Sequence, residues 1–388
     1  MVNPFNPGAG SVPPYLAGRD THISKFLQFL KEIESGKQKN LMVTGVRGTG
    51  KSALMSRFQE ICIEKGFFPI SKKQFNKQHC IPDEFLTALK YYFKKSLEDT
   101  SRKKKLIGKM KAIGEYIKPD KIGYEGAYIE PSYTHKRPPF EEEIKEYLSS
   151  NWQVFEKAGM KGVIFLFDEF HDVKDLGVEK GLVLSNFIGA INDLQNEGFR
   201  YAVVFSGLRN LQQNIKKAKT FSERMFTKLE VKHLNEIETK NAITIPLKNT
   251  KYNFSSDLVK QIIKDSGRYP YFIQYICNEV ILNINKLKIT LKDYQKIRKD
   301  IFYQLESDFF DSRFSDTSPT ERKILFSMAK SKTENIPMST IKKSKVIQGT
   351  LTKSLKRLED KEIIYNYERA VYRFSFPGLK DYLRKKDK

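Results

Sequence analysis

Residues 45–52 read GVRGTGKS, a full match to the phosphate-binding loop pattern G-x-x-x-x-G-K-[ST]. Glycines let successive amide N–H groups turn towards a phosphate, and a helix-forming segment follows the loop. Lys51 can then reach the β- and γ-phosphates, and the Ser52 hydroxyl can bind Mg²⁺. The apolar run at 41–43 argues against a chance glycine turn. The predicted nucleotide-binding residues of this loop are Gly45, Val46, Arg47, Gly48, Thr49, Gly50, Lys51, Ser52 and Ala53.

Two adjacent carboxylates, Asp168 and Glu169, follow the most apolar segment of the chain, residues 163–167. Phosphoryl transfer needs one group to hold the metal and another to orient the attacking water. We therefore expect Asp168 to bind Mg²⁺ together with Ser52, and Glu169 to act on the water. Acidic pairs after buried strands are common, and it is the phosphate loop that favours this catalytic interpretation.

A third polar position, Ser206, follows the next apolar run at 201–205. A hydroxyl at the end of such a strand can sense the γ-phosphate or the water that attacks it. Ser206 could instead form a turn or cap a helix, and Arg209 and Asn210 are competing candidates for the sensor. We favour Ser206 as the sensor because it lies directly at the end of the predicted strand.

Two further arginines are candidates for contacting phosphate. Arg224 lies just after the core strands, where it could reach a neighbouring subunit's γ-phosphate as a finger in trans, or it could be a solvated surface arginine. The segment GRYPY at 267–271 opens a helix, with proline in its first turn. It is either a plain helix start or a lid element in which Pro270 packs on adenine and Arg268 senses phosphate.

Strands and helices alternate after an irregular start up to about residue 230, which predicts that residues 1–230 form an α/β core of the P-loop NTPase type. Its parallel sheet should carry helices on both faces and bind ligands at the carboxyl ends of its strands. A basic insertion lies at about 99–140. Residues 231–312 have helical patterns and are predicted to form a lid. Residues 313–388 show a helix-helix-helix-hairpin order, typical of a winged helix-turn-helix domain.

The predicted helix at 346–361 has one apolar and one basic face. Leucines 351, 355 and 358 share one face at helical spacing, which leaves the polar positions free to meet a DNA groove or its phosphates. Winged helices also dock on proteins, and that alternative stays open here. The predicted DNA-contacting residues are Thr350, Lys353, Lys356 and Arg357 on the helix, with Arg369 and Arg373 in the wing.

The overall charge agrees with a polyanionic partner such as duplex DNA. The 388 residues include 69 Lys+Arg against 46 Asp+Glu, a formal net charge of +23. Lysines distributed over the solvent-exposed surface, without any DNA-binding patch, would give the same net charge. The three cysteines have no metal-ligand spacing and are predicted to be free thiols in a reducing compartment. Without a secretory signal pattern or a long apolar run, we expect a cytoplasmic protein with no membrane association.

Taken together, these motifs resemble the AAA+ ATPases of the replication-initiator group and the related archaeal-type and STAND ATPases. The resemblance rests on PPYLAGRD at 13–20, the phosphate loop, FLFDEF at 165–170, SERMF at 222–226, GRYPYFIQ at 267–274 and the terminal winged helix. It implies an ATP–Mg²⁺ switch that self-associates, with an adenine-contacting segment near Leu16 and Arg19. The G-x-x-P-Y form looks more like the archaeal-type and STAND ATPases than the initiators.

Two functions follow from the resemblance and stay open at this point. In the first, the protein is an ATPase that binds DNA through its winged helix. In the second, it is a STAND-like signalling or defence ATPase, and the winged helix docks on a partner protein or inhibits the ATPase from within the chain. The basic face of helix 346–361 favours the first.

Overall fold

The computed structural model describes residues 3–8, 10–72, 74–102, 138–219 and 222–387. Most of the predicted basic insertion therefore lies outside the described residues. The chain divides into two compact units. The sheet unit comprises Arg19–Gly45 and Gly50–Lys232, and the C-terminal unit comprises Met1–Gly18, Val46–Thr49 and His233–Lys388. The tip of the phosphate loop, Val46–Thr49, thus groups with the C-terminal unit.

The sheet unit is built on five parallel strands. They are β1 (Asn40–Thr44), β2 (Phe68–Lys72), β3 (Val163–Phe167), β4 (Tyr201–Gly207) and β5 (Phe226–Glu230), in the spatial order β2-β3-β4-β1-β5. All residues of β1, β3 and β4 are buried, as expected for central strands with near-continuous apolar sequences. The fifth strand has no such run because Thr227 and Lys228 are exposed, and the sequence did not reveal it.

Helices before and between these strands pack against the sheet and against one another. They are α1 (Asp20–Glu34), α2 (Lys51–Glu64), α3 (Pro82–Arg102), α4 (Phe140–Lys157), α5 (Val183–Asn196), α6 (Asn210–Ala218) and α7 (Ser222–Met225). Helix α1 is joined to α2 by the stacked rings of Phe26 and Phe58, whose centroids are 3.9 Å apart. Burying aromatic rings of this size contributes about 2 kcal/mol each to folding.

The first part of the C-terminal unit is mainly helical, as predicted. Its elements are α8 (Glu236–Leu247), β6 (Asn253–Phe254), α9 (Ser256–Asp265), α10 (Pro270–Asn283), β7 (Lys288–Ile289) and α11 (Leu291–Leu305). Capping boxes begin two of the helices, pairing Asn235 with Glu238 at α8 and Thr290 with Asp293 at α11. A π-helical turn at Glu306–Asp311 and the short α12 (Ser312–Ser315) follow.

The last part of the chain combines helices with a small antiparallel sheet. Its elements are α13 (Pro319–Ala329), β8 (Ile336–Pro337), α14 (Met338–Lys342), α15 (Gln348–Asp360), β9 (Ile364–Glu368), β10 (Val371–Phe374) and α16 (Leu379–Lys386). The strands lie in the order β8-β10-β9. The sequence did not indicate β8, which has only two residues, or α16, which is dominated by charged residues. Among the described helices, none is long and apolar enough to cross a membrane.

Candidate functional site

The phosphate loop connects β1 to α2 and is held by its own hydrogen bonds. Gly48 and Gly50 have φ angles of 75° and 93°, in the left-handed region that favours glycine. The buried Lys51 ammonium donates to the carbonyl of Gly45 at 3.1 Å, and Thr49 Oγ1 donates to the carbonyl of Val46 at 2.7 Å. Helix α2 has no side-chain cap at Gly50, so its amino end keeps the donors that favour an anion.

The two carboxylates stand at the carboxyl end of β3. Asp168 is buried, and its amide donates to the carbonyl of Lys72 at 2.9 Å, which extends the pairing with β2. Its Oδ1 accepts a hydrogen bond from the amide of Glu169 at 3.0 Å. Glu169 itself has a φ of 53°, a left-handed conformation that costs a non-glycine residue about 1–2 kcal/mol. Strain of this kind is typical of functional sites.

Ser206 lies between the two motifs in the sheet. Ser206 pairs with Val43 of β1, and its neighbour Phe205 pairs with Phe167 of β3. The strand that carries Ser206 therefore lies between the strand that leads to the phosphate loop and the strand that leads to Asp168. The Ser206 side chain is fully buried, and within the described part of the chain its hydroxyl has no hydrogen-bond partner. An unsatisfied buried hydroxyl costs about 1–3 kcal/mol, which a polar ligand or water would offset.

These residues fit a magnesium nucleotide. A hydroxyl, a carboxylate and phosphate oxygens are the hard oxygen ligands that Mg²⁺ prefers, and Ser52 and Asp168 offer the first two. Across the described residues, no group of three or more His, Cys, Asp or Glu side chains forms a metal site. The cysteines are free and buried, and burial raises the thiol pKa of Cys62 and Cys277.

His171 is a neighbour of Glu169 that sequence reasoning missed. It lies in the 3-10 turn Phe170–Asp172 directly after the carboxylates, and it is only 7% exposed. Its Nδ1 is 3.3 Å from Glu169 Oε2. The sequence spacing of Glu169 and His171 does not predict their contact, because the contact depends on the left-handed turn at Glu169.

Within the C-terminal unit, the loop tip contacts two residues that the sequence also did not indicate. The Tyr269 hydroxyl donates to the carbonyl of Arg47 at 2.5 Å, and Arg47 Nε lies 2.9 Å from Glu362 Oε2. Burial raises the pKa of Tyr269, so its hydroxyl stays a proton donor at neutral pH. A Cβ at Gly48 would collide with that hydroxyl, which is a second reason for glycine there.

The predicted adenine and lid residues have other contacts in this structure. Arg19 is buried, and its Nη2 donates to the carbonyl of Lys232 at 3.0 Å, while Leu16 is half-buried. Arg268 is exposed with a φ of 60°, and its carbonyl accepts from the amide of Leu234 at 3.1 Å. Pro270 occupies the first turn of α10, as predicted. Their nucleotide-binding roles stay predictions.

The remaining candidates follow the central strand β4 or precede the edge strand β5. Arg224 is exposed in α7, immediately before the edge strand β5. Arg209, a competitor of Ser206 for the sensor role, forms an ion pair with Glu230 at 3.0 Å. Asn210 is the first residue of α6. The role of Arg224 as a finger in trans stays a prediction.

The sheet order, the loop after β1 and the acidic pair after β3 together define the fold of an AAA+ P-loop ATPase. Residues 15–179, somewhat less than half of the chain, match the family described as the AAA ATPase domain. Residues 307–383 match a domain of unknown function (DUF8462). A search of curated proteins found no match.

Solved structures resemble the chain over nearly its whole length. The Walker-type ATPase PABY2304 of Pyrococcus abyssi superposes with a TM-score of 0.63 at 15% identity, covering 95% of this chain and 96% of that one. The ORC2 protein of Aeropyrum pernix, in its ADPNP-ADP complexes, gives a TM-score of 0.58 at 12% identity and 98% coverage of both chains. At these identities the likeness establishes the fold.

Proposed function

We propose that this chain is an ATP-hydrolysing switch that binds duplex DNA through a C-terminal winged helix. The observation that carries the ATPase proposal is the grouping of the phosphate loop, Ser206 and the acidic pair at three neighbouring strand ends. Lysine, hydroxyl and two carboxylates in that order are the set that phosphoryl transfer requires. The ADPNP and ADP named for the A. pernix protein support a nucleotide at the equivalent place.

Each residue then has a distinct task. The loop amides and Lys51 hold the phosphates, and Ser52 and Asp168 hold Mg²⁺. The metal ion neutralises phosphate charge when it is bound. Glu169 orients the attacking water and accepts its proton, and Ser206 offers its free hydroxyl to the γ-phosphate or to that water.

The base is held by the entry segment and the lid in this proposal. Leu16 and Arg19 precede α1, and Pro270 begins α10. In this proposal an apolar side chain and a proline ring pack on the two faces of adenine, and the exposed Arg268 contacts a phosphate. The hydrogen bond from Arg19 to Lys232 supports a role in holding the entry segment rather than in direct base contact.

The DNA-binding part rests on residues 319–374. Their helix, strand, helix, helix and hairpin follow the order of a winged helix-turn-helix, with α15 in the position of the recognition helix. Leu351, Leu355 and Leu358 are buried, whereas Lys353, Lys356 and Arg357 are exposed on α15. In the hairpin, Arg369 is exposed, while Arg373 is tied to Asn335 at 2.6 Å. On α15, Lys356 forms an exposed ion pair with Asp360 at 3.1 Å, and Lys353 and Arg357 are exposed beside it.

Replacing Lys353, Lys356 and Arg357 together by alanine is expected to weaken duplex binding and to flatten its salt dependence. If all three meet phosphates, the slope of log K against log salt should fall by about 2.7. Fluorescence anisotropy with a labelled duplex between about 50 and 200 mM salt measures both quantities.

A matched triple on α11, Lys292, Lys296 and Lys299 to alanine, removes the same charge from exposed positions of another helix. It should leave the slope near the wild-type value. A slope that is unchanged in the α15 triple would contradict DNA binding through α15. Equal losses in both triples would indicate that bulk charge, and not the proposed winged helix, attracts DNA.

The ion pair of Arg47 with Glu362 favours a second candidate function. Glu362 directly follows α15 and holds the loop tip, which suits a STAND-like ATPase whose winged helix restrains nucleotide exchange or docks on a protein. The partner would then be a protein, and the α15 triple would leave DNA binding unchanged. Capture of partners from lysate by Glu169→Gln with ATP, followed by identification of both nucleic acid and protein, separates the two functions.

Self-association is part of the proposal because Arg224 is exposed beside the edge strand. If Arg224 completes a neighbour's site, turnover per molecule should rise with protein concentration and should fall about 1000-fold in Arg224→Ala at saturation. Lys228→Ala, at an exposed position of β5, is the control and should keep wild-type turnover. Turnover that is independent of concentration and equal in both variants would rule out the finger in trans.

A further inference from the structure

We infer that His171 is a positioning residue that holds the carboxylate of Glu169 for catalysis. The inference rests on the proposed role of Glu169 as the group that acts on water. Glutamate has three rotatable side-chain bonds, so a base of this type needs a partner to keep one orientation. In sites of this kind the base is oriented by a third group, and the His171 imidazole lies against Glu169 here.

The geometry suits this task. His171 Nδ1 and Glu169 Oε2 are 3.3 Å apart, and the histidine side chain is 7% exposed while that of the glutamate is 26% exposed. The carboxylate can therefore face a reactant on one side and the imidazole on the other. With a proton on Nδ1, the ring attracts one carboxylate oxygen and leaves the second for the water.

The turn that carries the imidazole is held by two contacts, and a glycine leaves space for the ring. Phe170 stacks on Phe205 of β4, with ring centroids 4.0 Å apart and planes inclined by 13°, which anchors the turn to the sheet. The carbonyl of His171 accepts a hydrogen bond from Asn214 Nδ2 of α6 at 2.9 Å. A Cβ on Gly207 would lie 2.9 Å from the Cβ of His171 and 3.2 Å from its Nδ1, so glycine at this position makes room for the ring.

This packing connects Glu169 to the end of β4. Gly207 directly follows Ser206, the proposed sensor, and its register partner is Thr44, the residue before the phosphate loop. The histidine thus lies between the proposed base and the strand end that carries the sensor. A rigid imidazole in this place transmits the position of β4 to Glu169, which is what a positioning residue must do.

Two substitutions at one position separate positioning from packing. Asparagine carries an amide N–H at nearly the place of Nδ1, whereas leucine has similar bulk and no donor. We expect His171→Leu to lower kcat by about 10- to 100-fold and His171→Asn to stay within about threefold of wild type. The nucleotide Kd should change by less than about threefold in both, because neither variant removes a proposed phosphate contact.

The contact can also be observed without nucleotide or turnover. The chain has 5 histidines, so imidazole ¹⁵N NMR spectra of labelled protein are simple, and the signal missing in His171→Asn is that of His171. Glu169→Gln should move the Nδ1 signal of His171, because the carboxylate 3.3 Å away loses its charge. Glu179→Gln removes the same charge from an exposed position of the chain and should leave the signal in place.

The outcomes distinguish this inference from the proposed function. If Glu169→Gln stops hydrolysis but His171→Leu turns over at the wild-type rate, the positioning role is overturned and the ATPase site stands. Equal losses of kcat in the leucine and asparagine variants would also overturn it. So would an Nδ1 signal that does not shift in Glu169→Gln. Wild-type hydrolysis by Glu169→Gln would instead remove the proposed base itself.

Discussion

Glu169→Gln is expected to bind ATP with an affinity close to wild type and to hydrolyse it at least about 100-fold more slowly. A positioned general base contributes about 100- to 10,000-fold to a reaction rate. Glutamine keeps the size of the side chain and loses the ability to accept a proton. Asp168, Ser52 and Lys51 are untouched, so the proposed phosphate and metal contacts remain. Steady-state phosphate release and equilibrium nucleotide binding measure the two effects separately.

The control for this variant is Glu179→Gln, which neutralises an exposed carboxylate outside the proposed site. It should hydrolyse ATP at the wild-type rate. Thermal unfolding of both variants shows whether the left-handed turn at Glu169 tolerates the substitution. Wild-type turnover by a folded Glu169→Gln protein would refute the assignment of the acidic pair, whatever the result for nucleotide binding.

Lys51→Ala is expected to lose most of its affinity for ATP. The ammonium is buried beside the carbonyl of Gly45 at 3.1 Å, at the start of α2, and it is the cation of the phosphate loop. Removing one partner of a buried charge contact costs about 2–5 kcal/mol. A rise of about 100-fold in Kd corresponds to a loss of about 2.7 kcal/mol of binding free energy. Calorimetric titration of wild type and variant with ATP and Mg²⁺ measures it.

Lys65→Ala removes the same charge from the exposed end of the same helix and should bind ATP as wild type does. Because Lys51 is buried, the variant's thermal unfolding is measured without nucleotide to verify that the loop still folds. A folded Lys51→Ala protein with wild-type affinity would show that the loop is not the phosphate site. Lower affinity in both variants would indicate a general electrostatic effect of the basic chain.

Much of the candidate site could be predicted because its motifs are local. The loop at 45–52 needs glycines at fixed offsets and a helix start, and the acidic pair needs only a buried strand before it. Ser206 was identified in the same way, from the end of an apolar run. His171, Tyr269 and Glu362 could not be found like this. The contact of His171 with Glu169 depends on a backbone turn. The contacts of Tyr269 and Glu362 with Arg47 join residues that are hundreds of positions apart in the sequence.

The helices and strands also differ in whether local sequence signals could predict them. Central strands β1, β3 and β4 and the capped helices were predictable, because burial on both faces and capping residues leave continuous or periodic signals. Edge strand β5 and the two-residue β8 carry no such signal, since β5 exposes three of its five residues and β8 is too short to form a pattern. The sequence order of the strands also did not reveal that β4 lies between β1 and β3.

By itself, the sequence predicted the parts of the candidate site: a phosphate loop, an acidic pair and a polar strand end, each specified by neighbours along the chain. Only the tertiary structure decided how these parts are arranged and supported. The sheet order brings Ser206 between the loop strand and the acidic strand, and the packing of Gly207 makes room for His171. The physical reason is that backbone conformation and capping act over a few residues. Strand register and side-chain packing join residues whose separation in sequence has no periodicity.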